Sequence, residues 1–186
     1  MMRKIDYSQI SNIKKKYLQA LGLKDKNNQS TTDLMGMQKE WNLQRNKIHI
    51  LCNCSKNIED IIVANYKDLL DLYIMFNNSF FTVSQLTDLK KIFDYKKYSN
   101  LIASFFVKYH NELDITSCFY CEAAYINVFP DRTNNRRNFD LDHFFPKNES
   151  TLTVLSLFNL IPCCQICNSR IKGRIKFEKF YNIMGL

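Results

Sequence analysis

The chain has 186 residues, 46% of them hydrophobic and 13% aromatic, with a formal charge of +8 and an isoelectric point near 9.1. That apolar content excludes wholesale disorder, and the length fits one domain with a good core or a helical part plus a small module held by a staple. No stretch approaches the roughly 20 apolar residues of a membrane helix, and the excess of Lys and Arg favours a polyanionic partner through release of counterions from phosphates.

The opening run "MMRKIDYSQISNIKKK" carries basic residues with no apolar segment behind them, so a cytoplasmic protein without a membrane partner is expected. Gly22 and Gly36 are the only glycines before Cys118, and Pro130, Pro146 and Pro162 all fall in the last third. Few breakers imply long regular elements, and the periodicity is helical. Over residues 11–21, Ile13, Tyr17, Leu18 and Leu21 share a helical face, and Gly22 reads as the stop. Residues 30–55 carry no clear period; "KIHILCNC" fits either a short strand or a buried turn of helix.

Ile58, Ile62, Tyr66, Leu69, Tyr73 and Phe76 step by fours and threes, which predicts about five turns of helix burying one stripe. Thr82 and Gln85 have capping-box spacing ahead of Leu86, Leu89 and Phe93. A further helical face runs through Tyr98, Ile102, Phe105 and Tyr109, and Trp41 has no evident role. The character changes at Thr116, where C-x-x-C pairs, prolines and the loop-like "PDRTNNRRN", read as a link between strands, begin. The expected fold class is α+β: a helical region over 1–115 and a metal-stapled module over 116–186.

The seven cysteines are odd in number, and in a chain expected to lack a secretion signal that points to metal binding before disulfides. "SCFYCE" supplies Cys118 and Cys121, and "PCCQICN" supplies Cys164 and Cys167. Two such turns can hand four thiolates to one tetrahedral zinc, with the long segment between them clamped at its ends. The alternative is burial as small apolar side chains. The two-residue spacer favours Cys164 over Cys163, which then packs in the core or behind the zinc ligands. Cys52 and Cys54 lack a partner pair and are expected to pack in the core, while His49 and His110 lie on apolar-patterned segments and read as core or surface residues.

Between the two pairs lie Asp140, Asp142, His143 and Asn159, and Asn168 directly follows Cys167. Neighbouring helical residues point about 100° apart, so a helix that turns Cys167 to zinc turns Asn168 elsewhere. Asp142 and Asn168 offer hard oxygens suited to Mg2+ or Mn2+. His143 beside a metal-binding carboxylate is placed to act as general base toward water, a combination that describes phosphodiester hydrolysis. An ideal strand points Asp142 and His143 to opposite faces, so this reading requires the strand to end or bulge there. Lys147, Arg170, Lys172 and Arg174 are candidate phosphate contacts, as are Arg136 and Arg137 in the loop before the Asp-His run.

The runs "DLDHFFPK" and "FNLIPCCQICNSRIKG" resemble the HNH endonucleases with a ββα-metal core, in the version stapled by zinc on C-x-x-C pairs. The resemblance covers roughly residues 116–175 and is nearest to the small HNH nucleases of bacterial anti-phage systems such as Septu. It implies a metal-dependent endonuclease acting on DNA, with 5′-phosphate and 3′-hydroxyl products, a structural zinc and one catalytic Mg2+ or Mn2+. It also implies His143 as general base, Asp142 and Asn168 as ligands of the catalytic cation, Asn159 as the residue that holds the His143 segment by hydrogen bonds, and Asp140 as a supporting acid. Many relatives carry His where Asn168 stands. They also often continue past the Lys-Gly, so contacts from such a tail are expected to be missing or supplied by a partner. The rival expectation is a zinc-stabilised nucleic-acid-binding or adaptor module without chemistry. A third expectation is a chain inactive alone and licensed by a regulatory protein such as an ATPase, which would dock on the 1–115 region, unneeded for the reaction.

Overall fold

The computed structural model describes residues 5–130 and 136–171. Helices and two small antiparallel sheets build an α+β architecture, in the order α1 (Ile13–Ala20), α2 (Thr32–Lys47), α3 (His49–Cys52), α4 (Ile58–Ile62), α5 (Tyr66–Asn77), α6 (Val83–Ile92), α7 (Tyr95–Lys108), β1 (Val128–Phe129), β2 (Arg136–Arg137), β3 (Asp140–His143) and β4 (Leu160–Cys163). A closing helical turn, Ile166–Ile171, has the wide π geometry. Among the described residues no helix is long and apolar enough to cross a membrane.

The chain forms two compact units that interleave in sequence. One comprises Met1–Ile13, Ala103–Phe144 and Leu160–Leu186; the other comprises Lys14–Ile102 and Phe145–Asn159. The compositional change near residue 115 falls inside the first of these.

The helical unit is built from caps and a dense apolar core. Gly22, at φ 69°, ends α1: its N–H reaches the Gln19 carbonyl at 3.0 Å and the Leu23 N–H reaches that of Leu18 at 2.9 Å. This pairing satisfies carbonyls that the helix end leaves open, at a φ that costs glycine little. The capping box at Thr82 forms as its spacing requires, with Gln85 N–H on Thr82 and the Gln85 side chain on the Thr82 N–H.

The stripe over 58–76 is two helices, where its period alone predicts one. Asn65 caps a new start, its side chain accepting from Asp68 N–H at 3.0 Å, and Asn57 opens α4 with a capping box to Asp60. Ile58, Ile62 and Leu69 are each 0% exposed and Phe76 8%, but Tyr66, the first residue of α5, is 37% exposed and Tyr73 is half-buried, so the stripe is buried only in part.

The unpatterned segment 30–55 is helical, "KIHILCNC" included. α2 packs against α3, α4 and α6 along one face, where Gln44 is buried with Leu34 and Trp41. Met35 and Leu43 are exposed elsewhere on the helix, and a polar residue inside with apolar residues outside leaves little amphipathic period. Trp41 now has a role: its indole N–H donates to the Lys56 carbonyl at 2.9 Å, and its ring meets Phe93 edge-on at 5.8 Å, worth about 1 kcal/mol beyond burial. Cys54 is buried as expected, but Cys52 is exposed, its thiol donating to the His49 carbonyl one turn back. A residue at the end of a short surface helix has no core to enter. His49 is exposed, and half-buried His110 has its Nδ1 2.8 Å from the Val107 carbonyl.

The segment Phe145–Asn159 belongs to this helical unit. Phe145 stacks on Tyr66 and lies against Tyr73 at 4.7 Å, while Tyr17 donates to the Leu155 carbonyl and Ser156 to that of Ile61.

In the other unit β1 and β2 pair antiparallel, so the run read as a link between strands itself contributes β2; residues 131–135 lie outside those described. β3 pairs antiparallel with β4 in the register Asp140 to Cys163, Leu141 to Pro162, Asp142 to Ile161 and His143 to Leu160. β4 then runs directly into the closing turn.

Candidate metal centre and active site

Backbone hydrogen bonds shape the first C-x-x-C turn. Cys118 N–H donates to the Ala124 carbonyl at 2.8 Å, Glu122 N–H donates back to Cys118 at 2.8 Å, and Glu122 takes the left-handed conformation at φ 55°. Phe119 N–H donates to the Pro162 carbonyl at 3.2 Å, which fastens this turn to β4. The second pair comes from the end of that strand: Cys164 follows it, Cys167 N–H lies 3.4 Å from the Cys164 sulfur, and Asn168 N–H donates to the Cys164 carbonyl at 3.0 Å.

The sulfurs of Cys118, Cys121, Cys164 and Cys167 all lie within 4.8 Å of one another. A zinc tetrahedron with Zn–S of about 2.3 Å has S–S edges of roughly 3.8 Å, so small side-chain rotations complete it. Burial pushes the Cys118 and Cys167 thiols up, Cys167 also through its contacts with Cys164 and Cys121. For Cys121 burial works the same way, but N–H groups of Ala124 and Ala123 directed at its sulfur outweigh it and bring the thiol down to about 7. Four thiolates this close repel one another, so the donor set matches a soft divalent cation such as zinc. Cys163 is outside the four; it is buried among Cys118 and Cys167 with its sulfur 3.8 Å from the Asp140 carbonyl.

The remaining candidates gather on β3 and the closing turn. Pairing is one to one through His143, with no bulge, so pleat alternation sets Asp140 and Asp142 on one face and Leu141 and His143 on the other. The strand ends at His143, which is still paired with Leu160, so the ending leaves His143 on the face opposite Asp142. The two carboxylates are half-buried, while His143 is 3% exposed.

Asn168 Nδ2 donates to Asp140 Oδ2 at 3.1 Å. Asp142 is held from elsewhere: the Tyr120 hydroxyl donates to its Oδ2 at 2.6 Å. Burial first, and the Asp142 charge second, push the Tyr120 phenol well above its ordinary value, which keeps it a donor. Sequence reasoning missed Tyr120; the only signal was a hydroxyl-bearing ring inside "CFYC".

Asn159, fully buried, clamps the backbone of Phe145, two residues beyond His143. Its Oδ1 accepts from Phe145 N–H at 2.7 Å, and its Nδ2 donates to the carbonyls of Phe145 at 3.3 Å and Thr153 at 3.0 Å.

The basic candidates differ in exposure and surroundings. Arg137 donates to the Phe139 carbonyl at 2.6 Å and lies over the Phe139 ring, so its guanidinium is partly committed to the link between β2 and β3. Arg136 and Arg170 are exposed, and exposed Lys147 has its ammonium 4.7 Å from the Tyr95 ring centre. Lys172 and Arg174 lie outside the described residues. Among the described residues, the four cysteines are the one group of three or more His, Cys, Asp or Glu side chains placed to share a metal ion. Comparison with protein-family models, with curated proteins and with solved structures finds no match to this chain.

Proposed function

We propose that the chain is a zinc-stapled HNH endonuclease that hydrolyses phosphodiester bonds of DNA with the help of one divalent cation, and that it serves bacterial anti-phage defence. What supports this most is one arrangement: an antiparallel strand pair running straight into a helical turn, with Asp140, Asp142 and His143 on the first strand, Asn168 on the turn, and four thiols gathered beside it.

Asp142 and Asn168 would hold the catalytic cation, with Asp140 next to them. Their carboxylate and amide oxygens suit Mg2+ or Mn2+. A half-turn of the Asn168 amide exchanges Nδ2 for Oδ1 at the same place, so the group that now donates to Asp140 can present an oxygen instead. The bound cation supplies stabilisation of the charge developing on the leaving oxygen. His143 takes the proton from the attacking water, and its near-complete burial keeps the ring from wandering. Asn159 holds the chain just beyond it by three hydrogen bonds. The charge of +8 suits a phosphate backbone, and Arg136 and Arg170 are exposed on the surface. Residues 1–115 would dock a regulatory protein such as an ATPase.

The test is cleavage of plasmid DNA, with single-stranded DNA and RNA in parallel, by purified protein in Mg2+ or Mn2+. His143→Ala is expected to lower the rate at least about a hundredfold, as loss of a general base does, with zinc retained. Undiminished activity in that variant overturns the mechanism; DNA binding without cleavage under either metal favours a zinc-stabilised adaptor.

A further inference from the structure

Tyr120 stands between the two cysteines of the first C-x-x-C turn, yet its hydroxyl ends 2.6 Å from Asp142 Oδ2, on a different element. Both ends of its short segment are anchored. Cys118 is tied to Ala124, Glu122 to Cys118, and Phe119 to Pro162 on the strand that pairs with β3. The ring is therefore carried by the same turn that places two of the four sulfurs. A hydroxyl on one carboxylate oxygen sets the rotation of the whole group, leaving Oδ1 and the remaining lone pairs in a defined direction.

We propose that Tyr120 is a positioning residue: it orients the Asp142 carboxylate for a hard divalent cation and joins that carboxylate to the cysteine-held turn. This rests on the endonuclease reading of Asp142. Groups that orient a metal ligand in this way typically change affinity by about 10–100-fold when removed. The predicted consequence is that Tyr120 affects how tightly the cation is held more than how fast the loaded protein turns over.

The experiment compares zinc-loaded full-length wild type, Tyr120→Phe and Asp142→Ala by calorimetric titration with Mn2+, with zinc content measured on each and the Mn2+ dependence of DNA cleavage followed in parallel. Tyr120→Phe keeps the ring and removes only the hydroxyl, so the fold and one equivalent of zinc should persist. Its Mn2+ dissociation constant is expected to rise about 10–100-fold, the Mn2+ concentration for half-maximal cleavage in the same proportion, and the rate at saturating Mn2+ to stay within about threefold. Wild-type affinity in Tyr120→Phe, while Asp142→Ala loses Mn2+, overturns the positioning role and leaves the endonuclease reading intact. Absence of Mn2+ binding by the wild type overturns both. A loss of zinc from Tyr120→Phe in proportion to the loss of Mn2+ assigns Tyr120 to the cysteine turn alone and also overturns the proposal.

Discussion

The amide of Asn168 meets the carboxylate of Asp140, with 3.1 Å between Nδ2 and Oδ2, while Asp142, two residues along the same strand face, is bonded by Tyr120 instead. The two aspartates thus have different partners although the sequence presents them as near equivalents. Replacing Asn168 by Asp sets two carboxylates at hydrogen-bond distance, where like charges resist joint ionisation. The zinc-loaded Asn168→Asp protein is expected to melt below wild type without Mn2+ and to gain more than wild type when Mn2+ is added. Differential scanning fluorimetry across a Mn2+ series checks this; equal gains in the two proteins would show that no cation sits between these side chains.

Asn159 carries three hydrogen bonds to backbone groups in a fully buried place. Asn159→Ala leaves one N–H and two carbonyls without those bonds, and unsatisfied buried groups cost about 1–3 kcal/mol each. Allowing for relaxation, a loss of roughly 3 kcal/mol is expected in urea unfolding. A loss below about 1 kcal/mol would mean that the Phe145 backbone is held by other contacts.

Zinc affinity should depend steeply on pH, with a sign set by the thiols. Burial raises Cys118 and Cys167, so near neutrality both are protonated and zinc must displace at least two protons. Affinity then falls at least about a hundredfold per pH unit as pH drops. Below about 7, where the Cys121 thiol also becomes protonated, a further proton joins and the fall steepens. Competition with a chromophoric chelator between about pH 6 and 8 measures the slope. A slope under one proton would exclude four-thiolate binding.

Much of this architecture was legible in residues close together along the chain. Gly22 as a helix stop, the Thr82 capping box and the two C-x-x-C turns each rest on a few neighbouring positions, where backbone sterics and short hydrogen bonds decide the outcome. The stripe over 58–76 was read as one helix because period alone does not see a break when both pieces bury the same face; Asn57 and Asn65, the caps that make the break, were the unread signal. The region 30–55 shows no period because α2 buries Gln44 on its packed face while Met35 and Leu43 stand exposed.

The sequence by itself determined which chemistry is present: four thiols in two turns, a pair of carboxylates beside a histidine, and an asparagine directly after the last of the four cysteines. Tertiary structure decided which of these meet. The contacts of Tyr120 with Asp142 and of Asn168 with Asp140 join residues 22 and 28 positions apart, and both depend on the register of β3 on β4 and on the turn fastened to β4 at Pro162. A one-residue slip in that register would exchange the faces of β3 and part both pairs. Strand register is set by packing over the whole unit, which no short stretch of sequence encodes.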